Sequence, residues 1–381
     1  MNNFELCIPT KMIFGRDTHK QVGEQVKQYA NKVLLHYGGG SIKRSGLYDE
    51  VVASLKDAGV AFVELGGVAP NPRLSLVHEG IELCRKEGVE LILAVGGGST
   101  IDSAKAIAMG VPYDGEVWDF YESEAMPASA LPVATILTIP AAGSESSPNT
   151  VITNEETKRK YGAGSPLLRP VFSILNPALC MTLPKNQAAN GLSDMLAHIM
   201  ERYFTDTPNV DVTDRMCEGV MRSIVANGPK LMEHYDSYDL WAEVMWAGKV
   251  AHDGSLGVGR KESWISHDME HELSAIYDIP HGQGLAIVFP AWIKHVCAAN
   301  PTRFVQFAVR VFDVDLAFAD QDAIIAEGIR RLEAFYKSLG LPTRLTEIGI
   351  DDKDFETMAR ALDRDGTIPY SDAMAIYRLA L

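Results

Sequence analysis

Leu91-Ile-Leu-Ala-Val95, then Gly96-Gly97-Gly98-Ser99, then Thr100-Ile-Asp102-Ser-Ala-Lys-Ala-Ile-Ala108 is the stretch whose reading decides the fold. An unbroken apolar run stopped by glycine reads as a strand buried on both faces. A helical pattern opens at once behind the glycines, with Asp102 expected in its first turn. The same strand–glycine–helix unit stands upstream, where Lys32-Val-Leu-Leu-His-Tyr37 runs into Gly38-Gly39-Gly40-Ser41. Between the two lie a helical segment from about Leu47 to Ala58, a strand Ala61–Leu65, a hard break at Gly66–Pro72 and an amphipathic helix from about Leu74 to Lys86. Downstream, a strand over Val133–Ile139 leads into Pro140-Ala-Ala-Gly143-Ser144-Glu145. Strands alternating with helices predict a Rossmann-like parallel sheet covered on both faces. Ligands then bind at the C-terminal strand ends, where the glycine turns lie.

Near Leu183-Pro184 the texture changes. Long amphipathic patterns follow, at about Val212–Met232, Trp241–His252, Asp322–Leu339 and Asp354–Leu362, with almost no strand signal. The expected division is an α/β dinucleotide-binding domain over 1–184 and an all-helical metal-binding domain over 185–381. With no repeat or long linker, the two are expected to pack closely around a ligand cleft. The balance of 35 basic and 50 acidic residues, a formal charge of -15, disfavours nucleic acid and anionic membrane as partners. The five cysteines, Cys7, Cys84, Cys180, Cys217 and Cys297, are scattered and odd in number. That pattern suits a reducing compartment and offers no thiolate metal site. No basic and apolar leader opens the chain, and no run of roughly 18 apolar residues occurs. The expectation is a soluble, cytoplasmic protein.

Glycine lets a backbone approach a phosphate and present its N–H groups, and the helix behind it adds a favourable dipole. One such turn is weak support, because βα connections carry glycine for steric reasons too. Two in one sheet, with a third loop at Gly143 and Ser144, favour a dinucleotide, although the Gly-x-Gly-x-x-Gly fingerprint is absent. The first turn ends in Ser41 and is followed by Lys43 and Arg44, with no acidic residue in the turn to repel a 2′-phosphate. The expected cofactor is NADP(H).

In the helical half, Asp194 and His198 are four apart, as are His267 and His271, so each pair shares a helix face. His281 follows Pro280 at a break in the pattern. Three imidazoles and a carboxylate suit Fe²⁺ or Zn²⁺ better than Mg²⁺ or Ca²⁺. Five side chains compete for about four places, so His271 is either a ligand or a proton donor beside the metal. Trp246, Trp264 and His252 are candidates for lining a substrate pocket.

These segments resemble the iron-containing (group III) alcohol dehydrogenases, and within them the NADPH-dependent butanol dehydrogenase and aldehyde reductase branch. The resemblance spans nearly the whole chain. It is carried by Asn71-Pro72, Gly96–Ala108, Gly191-x-x-Asp194-x-x-x-His198-x-x-Glu201, His267-x-x-x-His271-Glu-Leu, Pro280-His281-Gly282 and Gly340-Leu-Pro-Thr-Arg-Leu345. Many members carry Gly-Thr-Gly-Ser-Glu where this chain has Ala141-Ala-Gly-Ser-Glu145. The resemblance implies a dehydroquinate synthase-like two-domain architecture and a homodimer. It implies a metal held by Asp194, His198, His267 and His281, with His271 a non-ligand near the nicotinamide. Gly38, Gly39 and Ser41 would meet the 2′-phosphate end, and Gly97, Gly98, Ser99 and Asp102 the pyrophosphate. Thr138, Ser144 and Lys160 would line the rest of the groove. The implied reaction is reversible hydride transfer between NADP(H) and a small alcohol or aldehyde, such as butanol and butanal. The alternative is a 3-dehydroquinate synthase-type lyase, which needs a basic cluster for a substrate phosphate; no concentrated cluster stands beside the metal segments, although Arg260 and Lys261 are near His267.

Overall fold

Eight strands form among the described residues, which in this computed structural model are 1–316 and 320–381. They are β1 (Lys11–Phe14), β2 (Lys32–Gly38), β3 (Ala61–Val68), β4 (Leu91–Gly96), β5 (Val133–Leu137), β6 (Asn149–Asn154), β7 (Arg159–Gly164) and β8 (Phe172–Leu175). Six make one sheet in the order β1-β8-β5-β4-β2-β3, and every pair in it is parallel. All of β4 is buried, as the apolar run Leu91–Val95 requires of a central parallel strand.

The topology explains why the glycine turns matter. β2 pairs with β3 on one side and with β4 on the other. After β3 the chain crosses back over β2 to lay down β4, so the connections behind β2 and β4 leave in opposite directions. The carboxyl ends of those two strands are the topological switch point, where an open parallel sheet forms a crevice. Gly38–Ser41 and Gly96–Ser99 are the residues there. On one face, Val51 and Leu55 of the helix Leu47–Asp57 and Val22 and Val26 pack on Val33, Leu35, Leu91 and Leu93. The other face takes the helix Gly98–Gly110, tied to β2 by His36 and Ser103.

Several details differ from the pattern-based reading. β3 continues through Gly66 and Gly67 to Val68, because pairing with β2 persists past an irregularity between His36 and Gly38. The helix behind β4 starts at Gly98, inside the glycine run, so Asp102 falls in its second turn. β1 and β8 are four residues each, too short for periodicity to reveal. β6 and β7 form an antiparallel hairpin where no strand was expected.

The chain divides into two compact units, Cys7–Leu183 and the combination of Met1–Leu6 with Pro184–Leu381. The first six residues thus go with the helices, not with the sheet. The terminal ammonium donates to Pro208 O (2.7 Å) and Asn2 N–H to Gly259 O (2.7 Å). The helices of that unit include Lys185–Tyr203, Asp211–Glu233, Tyr238–His252, Ile265–Tyr277, His281–Val296, Pro301–Phe312 and Gln321–Ser338. From Ala188 to Tyr203 every residue except Asn190 is buried, which makes Lys185–Tyr203 the central helix of its unit. No helix among the described residues is long and apolar enough to cross a membrane.

His36 makes the sheet acid-sensitive. It is fully buried, with Nδ1 donating to Leu65 O (2.8 Å) and Nε2 accepting from Ser103 Oγ (2.8 Å). Burial lowers its pKa from 6.5 to about 4, against the opposing hydrogen bond to Leu65. Between those values the unfolded chain binds more protons than the folded one, so stability falls as pH falls, by up to roughly 3 kcal/mol. The thermal midpoint advantage of wild type over His36→Asn is expected to narrow from pH 6.5 to pH 4. A gap that stays constant over that window would refute this assignment.

Candidate metal and dinucleotide sites

In the helical unit, Asp194 and His198 stand one turn apart on the central helix. His267 and His271 stand one turn apart on Ile265–Tyr277, which ends at Asp278 in the left-handed region (φ 52°). The reversal Asp278-Ile279-Pro280 brings the chain back so that His281 opens the next helix. That helix crosses the central one closely at Gly282, where a Cβ would lie 2.0 Å from Asn190 O. Only glycine fits there.

One donor atom from each of Asp194, His267 and His281 lies within 4.8 Å of the others. His281 Nε2 is 3.8 Å from Asp194 Oδ1. His198 is adjacent: its ring centroid is 4.6 Å from that of His267, and its Nδ1 is 2.8 Å from Asp194 O. His271 is brought to a different set. It clusters with Glu270 and His281, and its ring centroid is 5.4 Å from that of His281. His271 and His281 are partly exposed, whereas Asp194, His198 and His267 are buried.

Burial and four surrounding imidazoles, His198, His281, His271 and His252, hold the His267 pKa well below its ordinary value. A neutral imidazole is the form that binds a metal ion. Its Nδ1 meets Glu201 Oε1 at 3.0 Å, while its Nε2 is buried with no hydrogen-bond partner among the described residues. Such an orphaned atom costs about 1–3 kcal/mol unless something outside the chain meets it. A donor set of imidazole nitrogens and one carboxylate, with no thiolate, fits a borderline ion such as Zn²⁺ or Fe²⁺.

Two carboxylates beside these histidines were given no role by the sequence reading. Glu201 and Glu270 are both fully buried, Glu201 against His267 and Glu270 against His281 Nδ1. Burial pushes the Glu201 pKa well above the usual range, against N–H groups of His267 and Ser266 that favour its charge. The available signal was spacing: each follows a site histidine by three residues on the same helix. Of the three pocket candidates, His252 and Trp264 flank the cluster. His252 lies 4.3 Å from His198, and Trp264 lies 5.0 Å from His267, centroid to centroid. Trp246 instead lies at the surface, 46% exposed, with Lys249 over its ring.

In the α/β unit, Gly38 ends β2 and Ser41 opens a short helix, Ser41–Arg44. Gly40 has φ 98° and needs to be glycine for that reason. Gly39 does not: its φ is not positive and a Cβ there would meet nothing within 4 Å. Gly97 caps the helix behind β4, with Gly98 and Ser99 its first residues, and Thr138 N–H donates to Gly96 O (3.0 Å). Ser144 Oγ donates to Asp102 Oδ1 (2.6 Å) and Val151 N–H to Asp102 Oδ2 (3.1 Å). Both Asp102 oxygens thus accept from the chain itself and tie this helix to the loop. Lys160 is buried on β7, opposite Thr153 of β6.

Lys105 completes this loop and was not singled out from sequence. Its buried ammonium donates to Ser144 O (2.7 Å), Ser144 Oγ (2.9 Å), Ser147 O (2.9 Å) and Asn149 O (2.8 Å). Burial lowers its pKa to about 8, against the raising influence of Asp102 and Glu145. Beside the first turn, the sheet supplies a carboxylate that the turn lacks. Glu64 on β3 accepts from Tyr37 (2.9 Å) and Tyr48 and pairs with Lys43 at 3.4 Å. Lys43 is therefore already engaged. Arg44 is exposed, with Nη1 3.8 Å from where a Cβ on Gly40 would sit.

Comparison with known proteins places the chain in a family. Residues 9–177 match the family described as iron-containing alcohol dehydrogenase, and residues 188–372 match the C-terminal region of the Fe-containing alcohol dehydrogenase family. The chain is 47% identical over 367 residues to the probable NADH-dependent butanol dehydrogenase 1 of Bacillus subtilis, covering 96% of this chain and 95% of that one. It is 35% identical to the NADPH-dependent aldehyde reductase YqhD of Escherichia coli, covering 96% and 94%. The crystal structure of NADH-dependent butanol dehydrogenase A from Thermotoga maritima superposes with a TM-score of 0.96 at 41% identity, covering 100% of this chain and 99% of that one. A six-stranded parallel unit, a helical unit and matches along nearly the whole length lead to one assignment: the chain belongs to the iron-containing alcohol dehydrogenase family.

Proposed function

We propose that the chain interconverts small aldehydes and primary alcohols, butanal and butanol among them, using one divalent ion and a nicotinamide dinucleotide. The observation that carries this reading is the orphaned, buried Nε2 of His267, in a residue with a donor within 4.8 Å of those of Asp194 and His281. Asp194, His198, His267 and His281 are the proposed ligands. A bound ion of this kind supplies a Lewis acid for a carbonyl oxygen, and a nicotinamide supplies the hydride. The chain's own part is to orient and to move a proton. His271, partly exposed beside His281, is the proposed proton donor to the product oxygen. His252 and Trp264 are the proposed walls of the substrate pocket.

The dinucleotide is proposed to lie across the turns at Gly38–Ser41 and Gly97–Ser99 and along Thr138, Ser144 and Lys160. Gly39 supports this, since the chain has no steric reason of its own for glycine there. We further infer NADPH over NADH. The turn carries no carboxylate, Glu64 is tied to two tyrosines and a lysine, and exposed Arg44 lies beside Gly40. The relatives divide on this point: four curated butanol dehydrogenases at 42–47% identity and the Thermotoga maritima structure are named for NADH, while relatives at 35% and 32% are named for NADPH or NADP. The lyase alternative has no free use of Arg260: its side chain is fully buried and bonded to Asp214 (2.9 Å) and Arg202 O (3.0 Å).

Protein stripped with a chelator is expected to lose butanal-dependent NADPH oxidation and to regain it with Fe²⁺ or Zn²⁺, with kcat/KM higher for NADPH than for NADH. No turnover of any simple aldehyde by fully loaded protein would reject the reductase reading, and a higher kcat/KM with NADH would reject only the cofactor preference. His271→Ala is expected to lower kcat while metal content stays at wild-type level; loss of metal would make His271 a ligand instead. Lys105→Met leaves its carbonyl acceptors unmatched and is expected to raise the NADPH dissociation constant roughly tenfold or more. Unchanged NADPH affinity in folded Lys105→Met protein would separate this loop from nucleotide binding.

A further inference from the structure

The three imidazoles of the proposed metal centre share one feature. Each has Nδ1 against an oxygen: His198 against Asp194 O (2.8 Å), His267 against Glu201 Oε1 (3.0 Å) and His281 against Glu270 Oε2. A main-chain carbonyl only accepts. Glu201 Oε1 also takes the main-chain N–H of His267 (3.0 Å), which marks it as the accepting oxygen whatever stands on its neighbour. At Glu270, Ser274 Oγ occupies Oε1, leaving Oε2 to His281. In His198 and His267, Nδ1 is then the N–H nitrogen and Nε2 carries the lone pair, and His281 presents the same nitrogen to a carboxyl oxygen.

We propose that Glu201 and Glu270 are positioning residues of the metal centre, which fix the tautomer and ring orientation of His267 and His281 from helices other than those the histidines occupy. The proposal rests on the metal-binding reading above. The sequence builds the arrangement economically. Glu201 follows Asp194 by seven and His198 by three, so one face of the central helix offers two donors and the anchor for a third. Glu270 follows His267 by three and anchors His281 on the next helix. Three helices are thereby linked, each carboxyl reaching forward to a histidine on a later one.

Room for these groups is built in. A Cβ on Gly284 would lie 2.6 Å from Glu270 Cγ, so the His281–Val296 helix comes this close only with glycine at that position. Burying two carboxyl groups completely is unfavourable, and apolar side chains serve a purely structural contact between helices better. Together with Asp194 they put three buried carboxyl groups around the imidazoles. Hydrogen bonds of this kind to the far nitrogen of a ligating histidine also raise its basicity.

The test uses the full chain, stripped and titrated with Zn²⁺ in competition with a chromophoric chelator. Glu201→Gln and Glu270→Gln keep shape and an accepting oxygen but remove the ionisable carboxyl, whereas Glu201→Ala and Glu270→Ala remove the anchor. The Gln variants are expected to bind Zn²⁺ about 10–100-fold more weakly. In the Ala variants the visible spectrum of the Co²⁺-loaded protein is expected to change, reporting altered ligand geometry. The thermal midpoint of the metal-free Gln variants is expected to match or exceed wild type. Zn²⁺ affinity within about twofold of wild type in all four variants, or affinity losses accompanied by an equally lowered metal-free midpoint, would overturn the proposal. His267→Ala separates the two readings: if it too binds Zn²⁺ like wild type, the metal reading itself is wrong, and if it alone loses Zn²⁺, only the role of the glutamates is.

Discussion

Polar side chains on a helix with almost no exposed face must be met by partners from other elements, and this requirement organises the helical unit. The helix Lys185–Tyr203 carries Asp194, His198, Glu201 and Arg202 inside a core of Leu192, Leu196, Ile199 and Met200. Leaving any one of the four unmatched costs on the order of the energy that separates a stable core from a failing one. Arg202 is met by His252 Nδ1 (2.9 Å), by Glu262 (3.3 Å) and by the face of Trp264 (4.7 Å). Glu201 is met by His267. The helices Tyr238–His252 and Ile265–Tyr277 therefore meet the central helix through polar contacts, and these are made by His252 and His267, which belong to the candidate metal centre or flank it. Stability and site geometry are set by one group of atoms here.

How much of this could be read in the chain depends on whether the physical cause is local. Asp194 with His198, and His267 with His271, are four-residue spacings on single helices, and helical geometry alone places each pair on one face. His281 was legible because Pro280 marks a helix start. Glu201 and Glu270 were visible as letters but not as functions. A carboxylate three residues past a histidine reads as a solvated face until the neighbouring helix is known to cover it. Spacing alone did not separate His271 from His267, since both lie on one face and either could turn toward Asp194; only the family resemblance told them apart. In the sheet, β2 and β4 announced themselves as apolar runs, whereas β1 and β8 gain their strand character only from pairing with each other and with β5.

The α/β unit solves the converse problem with the converse charge. The segment after β5 must turn through Gly143 to Ser147 and enter β6 without a regular ladder, and three of its carbonyls need donors. Lys105 supplies them from the helix behind β4, so the loop after one strand is tied to the helix after its neighbour. Asp102, one turn earlier on that helix, receives Ser144 Oγ and Val151 N–H. An amphipathic-helix reading sees only two polar residues three apart. Their pairing with the loop depends on β4 and β5 being adjacent, which sequence order suggested, and on the helix beginning inside the glycines, which it did not.

The charge beside the first turn shows the same dependence on neighbours. Read along the chain, Gly38–Ser41 with Lys43 and Arg44 is a cationic turn. Read across the sheet, it has Glu64 at its side, because Leu35 pairs with Glu64 and the strand twist delivers that carboxylate to Tyr37, Tyr48 and Lys43. Two hydroxyls and an ammonium on one carboxylate leave it poorly placed to accept a ribose hydroxyl, the contact by which an acidic residue usually selects NADH. They also spend Lys43, so that a 2′-phosphate at this turn would depend on Ser41, on backbone N–H groups and on Arg44. Selectivity at such a site is a difference between two modest effects, a pre-engaged anion and a single exposed guanidinium. Relatives that share the fold and yet are named for different nicotinamides are what that balance leads one to expect.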